Sequence, residues 1–276
     1  MTANRSFDAQ SCRGPGLRAE ARRAVPGAIL PAVDHTAQTL KQTGEDRESN
    51  VLQPVECVVM DIEGTTSAIE FVTGELYPYA RARMPDFIRR RRREPEVAAV
   101  MDQVRELAGI WNDEAVITCL CEWMDADRKV TPLKTLQGMI WEEGYRDGEL
   151  RSHLYPDVLP ALRDWHARGI RLYIYSSGSV QAQRLIYANT VAGDLTPLLS
   201  GYFDTQVGHK RDPESYRRIA AGIGAAPSRI LFLSDVRQEL DAARRAGWQT
   251  TWLVRDAAPG LSAAHRRATR FDQIRP

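Results

Sequence analysis

Four cysteines in 276 residues are too few, and too unevenly placed, for a disulfide framework: they are Cys12, Cys57, Cys119 and Cys121. No secretory apolar stretch stands near Met1, so a reducing compartment, the cytoplasm, is expected. Cys119 and Cys121 are two apart, but no further Cys or His follows at zinc-ligand spacing. Core packing is the expectation for them. No apolar run reaches the roughly 18 residues of a membrane span. Charge of one sign is also missing: 37 Lys+Arg face 36 Asp+Glu, a net +1. That balance gives no global pull toward nucleic acid or a membrane surface. No internal repeat is present.

A hydrophobic content of 43% is enough for one large domain, or for a domain with a smaller insert. Residues 1–50 stand apart. "CRGPG", "VPGA" and "KQTGEDRESN" carry little apolar periodicity and read as a disordered extension or an upstream start. Scattered arginines (Arg5, Arg13, Arg18, Arg22, Arg23) suggest a transit peptide, but Asp8 and Glu20 argue against one. Arg89 to Arg93 form a run of five arginines without interleaved aromatics, followed by Glu94, Glu96 and Asp102. A solvated helix face is expected there rather than a nucleic-acid patch.

Beyond Pro54, four short apolar runs read as buried strands: Val55–Met60, Ile170–Tyr175, Ile230–Leu233 and Thr250–Val254. Helical patterns separate the last three. One runs from Pro213 to Ile223 and closes at Gly224; another, Glu239 to Ala246, stops at Gly247. A further one, Asp157 to Arg168, stops at Gly169. This alternation predicts an α/β fold, a doubly wound parallel sheet. The first interval breaks the rhythm. About 110 positions separate Met60 from Ile170, where a crossover needs about a dozen. The surplus is helical in character and implies an inserted cap. The expected division is 51–74 with 151–276 for the core and 75–150 for the cap.

Ligands of open parallel sheets bind at the carboxyl ends of strands. The first strand ends in Asp61 and Glu63, the second in Ser176, Ser177 and Gly178, the third in Ser234 and Asp235; Lys210 lies on a loop just before a helix. Two neighbouring carboxylates repel, and a divalent cation removes the conflict. Hydroxyls, helix-start amides and a lysine bind anions. Together these groups describe a phosphate site. Gly64 lets the chain turn away, Thr65 and Thr66 are expected near the phosphate, and Glu239 beside Lys210 or on a helix surface.

Asp61-x-Glu63-Gly64-Thr65-Thr66, Ser176-Ser177-Gly178-Ser179, Lys210 and Ser234-Asp235 resemble the haloacid dehalogenase-like hydrolases. "DIEGTTSAIEFV", "LYPYA", "PLKTLQG", "YIYSSGSVQAQRLIY", "FDTQVGHK" and "ILFLSDV" resemble, within them, the enolase-phosphatases of methionine salvage, over about Val55 to Ile274. The resemblance implies a monomer with one Mg²⁺ per subunit. It implies conversion of 2,3-diketo-5-methylthiopentyl-1-phosphate to the acireductone 1,2-dihydroxy-3-keto-5-methylthiopentene. By position, Asp61, Glu63 and Asp235 match the metal-site residues, and Ser176, Ser177 and Lys210 the substrate-binding ones. Asp61 is the expected nucleophile and Glu63 an acid/base whose role stays open. His209 is a candidate enolisation base. Trp123, Met124, Leu136, Met139 and Trp141 are candidates for the methylthio tail, unless they are core. Two other functions compete: a capped phosphatase of another small ester, and an inert phosphate-ligand sensor. The expected partner in each case is a small-molecule phosphate.

Overall fold

Val58, Val59 and Met60 have no exposed surface, because the strand they form, β1 (Cys57–Met60), lies inside a six-stranded sheet. The computed structural model describes residues 54–255 and 264–276; the expectations for residues 1–50, Cys12 among them, lie outside these. The other strands are β2 (Arg171–Tyr175), β3 (Gly201–Phe203), β4 (Ile230–Ser234), β5 (Gln249–Leu253) and β6 (Arg266–Ala268). Their order is β3-β2-β1-β4-β5-β6, and every pairing is parallel. The chain runs from β1 out to β3 on one side, then returns to β4 on the other. The reversal falls between β1 and β4, where such sheets open a crevice.

Helices cover both faces. Val58, Met60, Leu172, Ile174, Leu231 and Leu233 pack on one face with α5 (Val158–Ala167) and α6 (Val180–Ala188). The alternate residues Cys57, Val59, Tyr173, Tyr175, Ile230 and Phe232 pack on the other with α7 (Pro213–Ile223) and α8 (Arg237–Arg245). This alternation is the period of two that a strand imposes. Gly224 ends α7 with φ 69, the left-handed turn that glycine accepts without strain.

The long interval after β1 is helical from Ile69 onward. A short α turn (Ile69–Phe71) passes into a π-helical stretch (Val72–Leu76), and then follow α1 (Tyr77–Arg91), α2 (Pro95–Ala108), α3 (Asp113–Asp125) and α4 (Thr131–Arg146). Their apolar faces join the cluster on the α5–α6 side of the sheet. The arginine run ends α1 and its first four members are paired: Arg89 with Glu114, Arg90 with Asp86 and Glu143, Arg91 with Glu94, Arg92 with Asp113. These exposed pairs make a solvated face worth little individually. Cys57 and Cys121 are buried free thiols. Among the described residues, no helix is long and apolar enough to cross a membrane.

Candidate active site

Asp61 extends the β1 ladder by one residue, its N–H donating to Leu233 O at 3.0 Å. The chain then folds back at once. Ile62 O accepts from the N–H groups of Thr65, Thr66 and Ser67 at 3.2, 2.9 and 2.9 Å. Gly64 permits this turn with φ 69. A Cβ there would also lie 2.2 Å from Asp235 Oδ2, so glycine is required on two counts. The turn leaves the Asp61 carboxylate buried, 3% exposed, at the carboxyl end of β1.

Lys210, on the loop before α7, reaches into this place. Its Nζ stands 2.6 Å from Asp61 Oδ2 and 2.7 Å from Glu239 Oε2. Ser234 Oγ, ending β4, approaches the same two oxygens at 3.4 and 3.1 Å. Asp61 Oδ1 accepts from Ile62 N–H at 2.8 Å. Glu239 is therefore part of the lysine's cradle, not a helix-surface acid. Thr65 and Thr66 serve differently from expectation. Thr65 Oγ1 accepts from Asp235 N–H at 3.1 Å, and Thr66 Oγ1 bonds Tyr187 OH at 2.7 Å. Both are wholly buried, so they brace the loop.

Four acids, Asp61, Glu63, Asp235 and Glu239, crowd about one lysine. Burial first and the Asp61 charge second push Asp235 up to about 6 and Glu239 up to about 7. The same causes raise Glu63. Burial alone would lower Lys210, but Asp61 and Glu239 outweigh it and raise it. Asp235 Oδ1 is buried and accepts no hydrogen bond. An unsatisfied carboxylate oxygen amid surplus negative charge fits a hard divalent cation with oxygen ligands. Among the described residues no three Asp, Glu, His or Cys side chains form a ready ion cage.

Beside these groups lies a cavity of about 410 Å³, lined by residues of the strand-end loops and of α4. Glu63, Ser176, Ser177 and His209 line its core side; Lys134, Gln137 and Trp141 of α4 line the opposite side. Ser176 is buried, its Oγ accepting from Gly178 N–H at 3.2 Å. Ser179 caps α6 by accepting from Ala182 N–H. Of the proposed tail residues, Trp141 alone lines this cavity; Trp123 and Leu136 are core, Met139 packs against it, and Met124 lines a neighbouring cavity. The apolar wall also uses Val72, Leu76 and Tyr77, which helical spacing did not single out. The π turn that sets Val72 and Leu76 has no simple sequence signature. Lys134 and Gln137 stand within the "PLKTLQG" stretch, where their side-chain roles were not legible.

A family model for haloacid dehalogenase-like hydrolases matches residues 55–247. The chain is 51% identical over 225 residues to a protein of Methylococcus capsulatus named enolase-phosphatase E1, covering 80% of this chain and 98% of that one. It is 55% identical over 222 residues to the protein of that name in Pseudomonas aeruginosa, covering 80% and 98%. The solved structure of the UTR4 protein of Saccharomyces cerevisiae superposes with a TM-score of 0.69 at 32% identity, covering 80% of this chain and all of that one.

Proposed function

The chain belongs to the haloacid dehalogenase-like hydrolases and, among them, to the enolase-phosphatases, and from that premise we propose that it enolises 2,3-diketo-5-methylthiopentyl-1-phosphate and then removes its phosphate, releasing the acireductone of methionine salvage. The observation that carries this reading is the buried Asp61 carboxylate clamped 2.6 Å from Lys210, with the orphaned Asp235 oxygen in the adjoining loop. An unactivated strand-end acid has no use for that arrangement.

Asp61 attacks phosphorus, forming an aspartyl-phosphate that water then cleaves. An anion meets a phosphate dianion poorly, and Lys210 offsets the repulsion while keeping Asp61 in place. Ser176, Ser177 and the amides that open α6 hold the phosphate oxygens. Asp61, Glu63 and Asp235 would hold one Mg²⁺ per chain. The bound ion supplies charge neutralisation at the phosphate. Glu63 lines the cavity and moves protons there, to the leaving oxygen or in the enolisation. We assign residues 75–150 to a cap that excludes water, and 51–74 with 151–276 to the catalytic core. We place the enzyme in the cytoplasm as a monomer.

The test is Mg²⁺-dependent phosphate release from this substrate. EDTA abolishes it, and Asp61→Asn abolishes it with the fold retained. Full turnover by the Asn variant, deamidation excluded by mass, overturns the assignment. Release without Mg²⁺ contradicts the metal site.

A further inference from the structure

The chain is poor in lysine: it has four, Lys41, Lys129, Lys134 and Lys210, against 33 arginines. Its exposed ion pairs are made almost entirely by arginine. Yet every lysine among the described residues stands at the candidate site. Lys210 holds Asp61, and Lys129 and Lys134 line the cavity beside it. A compact ammonium, in place of a planar guanidinium, stands where a single oxygen atom is to be met.

The two cavity lysines differ. Lys129 is paired with Asp127 and lies over the Tyr77 ring. Lys134 has no acid partner among the described residues; its Nζ reaches across the cleft to Ser177 O at a long 3.4 Å. One helical turn further along α4, Gln137 is 8% exposed and lines the same cavity. No side-chain hydrogen bond holds its amide among the described residues. A half-buried cation and a buried amide, three positions apart on one helix, share a face. They project from the cap toward Ser176 and Ser177, where the phosphate is proposed to bind. The atoms beyond the phosphate in the proposed substrate are two adjacent carbonyl groups.

Resting on the function proposed above, we propose that Lys134 is the catalytic electrophile of the enolisation and that Gln137 holds the neighbouring carbonyl. The hydrogen removed lies on the carbon bearing the phosphate. Its proton passes to Glu63, whose side chain lines this cavity; the His209 Nδ1 is already taken up in accepting from Arg211 N–H. The C–H electron pair becomes the new carbon–carbon double bond. The carbonyl π pair moves onto oxygen, which Lys134 meets with a charge-assisted hydrogen bond and then a proton. Lys134 is half-buried and recovers its proton from solvent. Gln137 donates to the second carbonyl oxygen, keeping the two oxygens on one side.

The experiment compares two reactions in the full chain with Mg²⁺. Enol absorbance in a single turnover of the diketo-phosphate reads enolisation, and p-nitrophenyl phosphate hydrolysis reads phosphoryl transfer alone. Lys134→Met is expected to slow enol formation by about a hundredfold or more, the scale of losing one charge-stabilising donor. Hydrolysis of the simple ester stays within about threefold, and the thermal midpoint is unchanged. Gln137→Leu slows enol formation by about tenfold, and Lys134→Arg restores part of what Met loses. Enol formation untouched by Lys134→Met overturns this proposal alone. Equal losses in both reactions, or a loss that follows the thermal midpoint, also overturn it. Absence of any enol from the unsubstituted chain overturns the proposed function itself.

Discussion

Gly64 and Asp235 are in contact: a Cβ added to Gly64 would fall 2.2 Å from Asp235 Oδ2 and 2.5 Å from its Cγ. The loop after β1 and the loop after β4 are thus pressed together by the absence of a side chain. Thr65 Oγ1 adds the hydrogen bond from Asp235 N–H, 3.1 Å long. The relative position of Asp61 and Asp235 is fixed by this seam rather than by either strand alone.

Gly64→Ala tests the seam. The substitution strains a left-handed backbone and displaces a carboxylate, so stability falls by about 1–3 kcal/mol. Mg²⁺ affinity, measured by calorimetry on the otherwise intact chain, falls by about tenfold or more. Unchanged affinity would show that Asp235 does not need the seam.

Lys210→Met removes the cation shared by Asp61 and Glu239. Phosphate release is expected to fall by about a hundredfold or more. Stability gains a pH dependence whose sign follows from Glu239. Its carboxyl is already raised to about 7 with the lysine present, above its unfolded value of about 4.3. A raised acid favours the folded state when protonated. The penalty is therefore absent below about pH 4.3 and grows until the folded carboxyl has ionised, near or above about pH 7. Denaturant melts of the metal-free variant should weaken as pH rises through that window, more steeply than those of the unsubstituted chain.

Asp157 and Arg255 give the opposite sign. Arg255 donates to Asp157 Oδ2 at 2.7 Å and to Thr65 O, and Phe271 N–H donates to the same Oδ2 at 2.6 Å. Burial alone would raise the Asp157 carboxyl, but the Phe271 N–H and the Arg255 guanidinium outweigh it and hold it below its usual range. That stability is present above the unfolded value of about 3.9 and is lost as pH falls through the lower folded value. Asp157→Asn should flatten the acid limb of the stability profile. Breaking the buried pair should also cost about 3–5 kcal/mol at neutral pH.

Trp141 ties the cavity wall together, its Nε1 donating to Leu76 O at 2.8 Å. Trp141→Phe loses that bond at a cost of about 0.5–1.5 kcal/mol. The KM for the thioether substrate should rise, while hydrolysis of p-nitrophenyl phosphate, which has no such tail, keeps its KM.

Much of this was legible in the sequence because it depends on residue type at strand ends. Asp61, Ser176, Ser234 and Asp235 follow apolar runs that could only be buried strands, and β1, β2, β4 and β5 lie within a residue or two of where those runs place them. The three-residue strands β3 and β6 were not legible. Gly201–Phe203 is too short to show a period, and Arg266–Ala268 is held by pairing with β5 rather than by apolar content. Thr65 and Thr66 look like phosphate ligands by adjacency, yet tight folding at Ile62 O turns both hydroxyls inward. Glu239 was ambiguous because its depth depends on Lys210, 29 positions earlier, coming to meet it. Lys134 and Gln137 face a cavity that exists only once α4 packs beside α6 and the loop after β2, and helix periodicity carries no record of that packing.

The measurement that bears most directly on the account is a simultaneous recording of enol absorbance and phosphate release after mixing the full chain, loaded with Mg²⁺, with 2,3-diketo-5-methylthiopentyl-1-phosphate. The account predicts enol appearing first, phosphate following with a lag, and, in Asp61→Asn, enol without phosphate. Phosphate released from the start with no preceding enol, or phosphate still released by Asp61→Asn, would contradict it.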